Sequence, residues 1–236
     1  ANLIGNIGNP MLDFINNKKR FSIIELSSYQ LDKMRINYLD FGILLNIDSD
    51  HLDYHGNIEE YKKAKEKILL AKENISNEMD PYKLFEWITK TKAKKIKLDN
   101  LPYRFELISK NIINDSKSTN FHSLSYALNK VDDLFKDQEY ILIVCGNPEK
   151  EGYRKVLIEG PREVLVFGEH AQELDSCINH HKKIIYKSLE DIFKNIKGNK
   201  HYKNILFSPG YPSGNDFKDY IQRGEHFNSL VKKHLI

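Results

Sequence analysis

Short, nearly continuous apolar runs recur along the chain, at Phe21–Leu26, Phe41–Ile47, Tyr140–Val144, Val164–Phe167, Lys183–Tyr186 and Asn204–Phe207. Runs of this length, rich in Ile, Leu and Val, suit strands covered on both faces. Between them apolar positions recur at spacings of three and four. The clearest series, Tyr61, Ala64, Ile68, Ala71 and Ile75, predicts one long helix face. Asn57 ahead of it, with Glu60 three residues on, fits an N-cap and its reciprocal carboxylate. Further helices are expected over 123–134, 188–196 and 216–235. Strands alternating with helices predict an α/β fold with mainly parallel sheets. A Lys-rich stretch, Lys90–Lys97, leads to Asp99-Asn100-Leu101-Pro102, and a new strand pattern follows at Tyr103–Ile108. This predicts one domain over residues 1–100 and a second over 101–236.

Composition narrows the function. The chain has 236 residues, 40% hydrophobic and 29% charged, which excludes a disordered or collagen-like chain. The 36 basic residues are interspersed with 33 acidic ones, so no one-sided basic face is expected and nucleic acid is not an expected partner. Two cysteines, Cys145 and Cys177, are too few for a disulfide framework or a cysteine-based zinc site. No apolar run approaches the roughly 20 residues of a membrane span. A cytoplasmic protein with no membrane partner is the expectation, and a monomer.

Polar clusters sit at the ends of the predicted strands. Gly5-Asn6-Ile7-Gly8-Asn9-Pro10 reads as a tight turn leading into a helix, with Asn6 as donor and acceptor. Glu25-Leu26-Ser27-Ser28-Tyr29-Gln30 places a carboxylate at a strand's C-terminal end, where open α/β sheets bind ligands. The two serines equally suit an N-cap pair. Asn46 to Gly56 holds Asp48, Asp50, His51, Asp53 and His55, a set suited to a hard divalent ion or to a capped polar loop. Lys65 lies beside the apolar helix face, where a lysine ordinarily reaches out to solvent. In the second half, Asn114-Asp115-Ser116-Lys117-Ser118-Thr119-Asn120 suits a capped helix start or, through free amides with Lys117 and Thr119, an anion site. Ser208-Pro209-Gly210-Tyr211-Pro212-Ser213-Gly214 forms another strand-to-helix turn.

Taken in order, Gly5-Asn6-Ile7-Gly8, Glu25-Leu26-Ser27-Ser28, Asp50-His51-Leu52-Asp53, Tyr61-x-x-Ala64-Lys65, Arg104-Phe105-Glu106, Asn114 to Asn120, and Ser208-Pro209 through Arg223-Gly224 resemble the Mur ligases. Within that family the series is most similar to the members that add D-glutamate. The resemblance implies part of a central ATPase domain followed by a Rossmann-like C-terminal ligase domain. It implies an ATP-dependent amide ligase of peptidoglycan synthesis, acting on UDP-N-acetylmuramoyl-L-alanine and D-glutamate through an acyl phosphate, with Mg²⁺ or Mn²⁺. Position by position, Glu25, His51 and Lys65 match catalytic and metal-site residues, Lys65 as a carbamylated lysine. Asn6, Ser27, Gln30, Lys117, Thr119, Ser213 and Tyr220 match substrate-binding positions. Arg104 and Asp115 match nucleotide contacts.

There are departures. The family's N-terminal domain and its phosphate-binding Gly-x-x-Gly-Lys-[Ser/Thr] loop have no counterpart in these residues. The stretch between Asp80 and Asp99 is short, Ser109-Lys110-Asn111 leaves little room for a hairpin turn, and Lys150 stands one place late. Two alternatives follow: a binding module without catalysis, or a ligase for another amino acid.

Overall fold

The computed structural model describes residues 1–6, 9–16, 18–47, 50–98, 101–136, 138–198 and 202–236; for Asp53, Lys150 and Gly198 the backbone alone is described. The chain divides into two compact units, residues 1–97 and 98–236. Asp99 and Asn100, at the expected boundary, lie outside the described residues.

In the first unit the strands are β1 (Asn2–Gly5), β2 (Ser22–Glu25), β3 (Phe41–Leu44) and β4 (Glu73–Ser76). They pair as two separate parallel ribbons, β1 with β2 and β3 with β4. The helices are α1 (Ser28–Lys33), α2 (Leu52–His55), α3 (Ile58–Glu66) and α4 (Pro81–Thr89). Among the described residues the core here is small: Leu31, Leu44 and Ile68, with Leu26, Met34, Leu39, Ile47 and Leu69 packed around them.

Three expectations fail in this unit. The 61–75 series is not one helix. α3 stops at Glu66, one 3₁₀ turn covers Lys67–Leu70, and Ile75 sits in β4 opposite Ile43. A pairing partner for 73–76 outweighs the helical spacing. The second is the reciprocal cap: Asn57 does cap α3 by accepting the Glu60 N–H, but the Glu60 carboxylate pairs with Lys63 instead. The third is the turn at Gly5, which is followed by a single 3₁₀ turn at Met11–Phe14 rather than a helix.

The second unit holds β5 (Glu106–Ser109), β6 (Ile112–Asn114), α5 (Phe121–Phe135), β7 (Tyr140–Cys145), β8 (Val156–Leu157), β9 (Glu163–Phe167), α6 (Ala171–Cys177), β10 (Ile178–Asn179), β11 (Lys183–Tyr186), α7 (Leu189–Gly198), β12 (Asn204–Gly210) and α8 (Tyr220–His234). Six strands form one sheet in the order β11-β9-β7-β12-β6-β5, parallel except for β5. The α/β expectation with a mainly parallel sheet is met. β8 and β10 make a small separate ribbon.

Side chains alternate across the sheet as strand geometry requires. Tyr140, Leu142 and Val144 of β7 face one core with α5 and α6, while Ile141, Ile143 and Cys145 face another with α7 and α8. The chain runs outward from β6 through β7 and β9 to β11, then returns to insert β12 between β6 and β7. With right-handed crossovers, that reversal sends the last helices to the opposite face and opens the ends of β7 and β12 toward a ligand.

The tight hairpin expected to be too short does form, with Ser109 opposite Ile112 and a register shift after Leu107. The strand predicted from 103 begins only at 106, because Tyr103 (φ 61°) and Phe105 (φ 49°) adopt left-handed backbone. Likewise the last helix begins at Tyr220, not 216, with Asp219 accepting the Gln222 N–H as its cap.

Candidate functional site

The candidate residues of the first unit gather around the ends of β1 and β2. Gly5 pairs with Glu25, and the next amide, Asn6 N–H, donates to the Glu25 carbonyl at 2.8 Å. A side chain at Gly5 would lie 2.3 Å from that carbonyl oxygen at φ 109°, so only glycine permits the approach. The Asn6 amide nitrogen then reaches the Glu25 carboxylate at 3.3 Å. Both side chains are exposed at this edge. Ile7, Gly8, Asp48 and Ser49 lie outside the described residues.

Ser27 and Gln30 are used locally. Ser27 accepts the Gln30 N–H, and the Gln30 side-chain oxygen accepts the Ser27 N–H at 2.9 Å, a capping box on α1. Ser28 is buried, and its hydroxyl has no hydrogen-bond partner among the described residues.

Lys65 is half-buried on α3. Burial lowers its ammonium below the usual range, and the Glu25 and Asp50 carboxylates pull it part of the way back. Lys65, Glu25 and Asp50 are therefore electrostatic neighbours. His51 has left-handed backbone (φ 53°), and its N–H donates to Asp50 Oδ1 at 2.8 Å. Its Nε2 lies 3.6 Å from Asp50 Oδ2, while Nδ1 meets the Tyr29 hydroxyl at 3.0 Å.

Among the described residues, no three His, Cys, Asp or Glu side chains converge as metal ligands. Glu25 and Asp50 are hard oxygen donors of the kind magnesium prefers. Lys65 as an ammonium is a counter-ion to them rather than a ligand. The set fits a divalent cation in donor type, provided Lys65 is converted to an anion.

In the second unit two of the expected residues meet. The Lys117 ammonium lies 4.2 Å from the centre of the Tyr220 ring. Asp115 is buried at the end of β6, accepting the Phe105 N–H at 2.9 Å and the Ser208 hydroxyl at 2.8 Å. Burial pushes its carboxyl up to about 6 against those two hydrogen bonds and the nearby Lys130 and Arg104. Asp115 thus ties the 101–106 turn to β12, and it leaves Arg104 exposed on that turn. The amides of residues 115–118 are all taken, by Phe207 O, Asn114 Oδ1, Tyr103 O and Asp115 O. Anion binding in this stretch falls to side chains. Thr119 and Ser213 are half-buried at the same C-terminal edge of the sheet.

The loops after β7 and β12 interlock through Asn147 N–H, which donates to Pro212 O at 2.9 Å. Gly146 (φ 115°) has no room for a side chain, which would lie 2.1 Å from the Pro212 oxygen. The loop after β9 joins them, the Glu169 N–H donating to Asp216 at 3.0 Å.

Sequence reasoning overlooked Arg223 as anything more than a motif position. It is 0% exposed and donates to Ser116 Oγ (3.1 Å), Ser116 O (2.7 Å) and Tyr211 O (3.0 Å). It holds the segments that carry Lys117 and Ser213. The one mark of this in the sequence is its helical register with Phe227, Leu230 and Val231, which puts Arg223 on the buried face of α8. Its burial is decided by the insertion of β12 beside β6.

The sequence profile of the Mur ligase middle domain matches residues 6–135, and the chain belongs to the Mur ligase family. Curated relatives carry a more particular name. The UDP-N-acetylmuramoylalanine–D-glutamate ligase of Thermotoga petrophila is 25% identical over 297 residues, covering 98% of this chain and 68% of the relative. Those of Petrotoga mobilis and Francisella philomiragia are each 27% identical, covering 97% of this chain and 68% of the relative. The 297 aligned positions exceed the chain's 236 residues, so at least 61 of them are residues of the relative without a counterpart here.

Proposed function

We propose that this chain supplies the cation-handling and acceptor-side residues of an ATP-dependent amide ligase. That ligase joins D-glutamate to UDP-N-acetylmuramoyl-L-alanine in peptidoglycan synthesis. The name shared by the relatives and the ordered motifs support the substrate. The observation that carries the chemistry is half-buried Lys65 within electrostatic reach of the Glu25 and Asp50 carboxylates.

A carboxylate is a poor electrophile, so ATP transfers a phosphoryl group to the alanine carboxylate and makes phosphate the leaving group. The glutamate amine attacks the acyl carbon, the C–O bond to phosphate breaks, and the amine loses a proton. The role of this chain's residues is orientation and charge. Asn6 orients the muramoyl substrate, and Ser27 and Gln30 fix the segment that carries Glu25. Lys117, Thr119, Ser213 and Tyr220 take the D-glutamate side, where a cation and hydroxyls suit two carboxylates. Arg104 and Asp115 take the nucleotide side, Arg104 by reaching it and Asp115 by holding the turn beneath. Glu25, His51 and a carbamylated Lys65 would hold Mg²⁺ or Mn²⁺, which supplies neutralisation of phosphoryl charge. Burial favours the neutral amine of Lys65, the form that reacts with CO₂ to give a carbamate.

The test is D-glutamate-dependent phosphate release by the product of the whole gene. Lys65→Ala is expected to abolish it; release at the wild-type rate in that variant would remove the cation-bridging role. A substrate panel in which another amino acid replaces D-glutamate at equal rate would overturn the acceptor assignment.

A further inference from the structure

His51 is held in a way that its own element does not explain. A non-glycine residue with left-handed backbone is strained, and such strain persists where surroundings fix it. Two groups fix it here. The Asp50 carboxylate holds the His51 main-chain N–H, and the Tyr29 hydroxyl meets ring Nδ1 at 3.0 Å.

Tyr29 comes from the first turn of α1, which the Ser27–Gln30 capping box anchors next to Glu25. Its ring packs on His51 at 4.9 Å and on Tyr54 at 4.5 Å between centres. At 3.6 Å, the second Asp50 oxygen is too far from Nε2 for a hydrogen bond. Its charge nevertheless favours N–H over a lone pair on that nitrogen. In the tautomer with the proton on Nε2, the Tyr29 hydroxyl donates to the lone pair on Nδ1.

We infer that Tyr29 is the positioning residue for His51, holding the ring by Nδ1 so that Nε2 is presented on the Asp50 side of the cluster. This rests on the reading of His51 as part of the ligase site. A hydroxyl both donates and accepts. The same ring pose therefore survives if the proton moves to Nδ1 and Nε2 becomes a ligand, and a phenylalanine could not serve both states.

Nitrogen NMR of the histidine rings in the ¹⁵N-labelled chain tests this, with His51 assigned by its loss in His51→Gln. In the wild type, Nδ1 is expected to resonate as a hydrogen-bonded acceptor and Nε2 as protonated. Tyr29→Phe keeps the ring contacts and removes only the hydroxyl. It should move Nδ1 to the position of an unbonded lone pair and loosen the ring. An unbonded Nδ1 in the wild type, or identical spectra in the two proteins, would overturn the inference. In the whole-gene product, Tyr29→Phe should lower kcat about tenfold, within the range for groups that orient a functional histidine, and leave KM for D-glutamate within twofold. A changed spectrum with unchanged kcat would overturn the part Tyr29 plays in the site while leaving the ligase reading intact, since that reading stands or falls with Lys65→Ala.

Discussion

The two units place candidate residues by different means. In residues 98–236 a continuous sheet lies between two helical layers, and the buried residues form two extensive clusters, one on each face. Asp115, Lys117 and Ser213 follow strand ends whose positions that sheet dictates, and Tyr220 opens α8, which packs on it. In residues 1–97 there are two short ribbons, and the described core cluster has three buried members, against nineteen and fifteen in the second unit. There the site rests on local devices: a capping box at Ser27, a glycine approach at Gly5, and side-chain hydrogen bonds from Asn6 and Tyr29. A large core fixes a site by packing, and a small one must fix it bond by bond.

This contrast can be broken most directly through the cores. Phe207 is fully buried and stacks on Phe227 at 4.5 Å, so Phe207→Ala should cost about 3–5 kcal/mol. In urea that loss should appear in the unfolding of the second unit, leaving the transition reported by Trp87, the chain's one tryptophan, in place. A Trp87 transition that moves equally would show that the units unfold together.

The next effect in size is a pH dependence from the second unit. Burial raises folded Asp115 to about 6, against about 3.9 for an unfolded aspartate. Between those values the folded state keeps a proton that the unfolded chain has lost. Stability therefore falls as pH rises through about 4 to 6, by up to about 3 kcal/mol, and is flat above. Asp115→Asn, which keeps an acceptor for the Phe105 N–H, should flatten the profile. Denaturant midpoints across pH check both.

Smaller effects belong to the first unit. Ser27→Ala removes the α1 cap and should cost about 1 kcal/mol, read at Trp87. The smallest is Glu60→Ala. Because Glu60, among the described residues, pairs with exposed Lys63 rather than completing a capping box, the change should stay within about 0.5 kcal/mol. A cost near 1 kcal/mol would restore the reciprocal cap that the sequence pattern suggested.

Most of the second unit was legible. The runs at 140–144, 164–167 and 204–207 are buried on both faces, which leaves little choice but a covered sheet, and 183–186 adds the partly exposed edge strand. Legibility fell where one residue satisfied two periods. Ile75 continues a helical series and also alternates as a strand residue, and its partner Ile43 settled the matter. α4 escaped notice although Asp80 caps it, Pro81 opens it, and Leu84, Trp87 and Ile88 share one face at helical spacing. For the site, the ordered motifs located Glu25, His51, Lys65, Asp115 and Lys117 as candidates. They included Tyr29 and Arg223 but gave them no role, because their importance lies in what they touch.

The sequence by itself determined the α/β class, most strand positions, the capping residues at Ser27, Asn57 and Asn120, and the resemblance of its motif order to the Mur ligases. These depend on periodicity and on short-range hydrogen bonds, which neighbouring residues specify. Only the tertiary structure decided that β12 enters between β6 and β7, that Arg223 is buried beneath the loops carrying Lys117 and Ser213, and that Tyr29 meets His51. Those contacts join residues 12 to 107 positions apart. No local pattern encodes such pairings, because their energy exists only once the strands have been brought side by side.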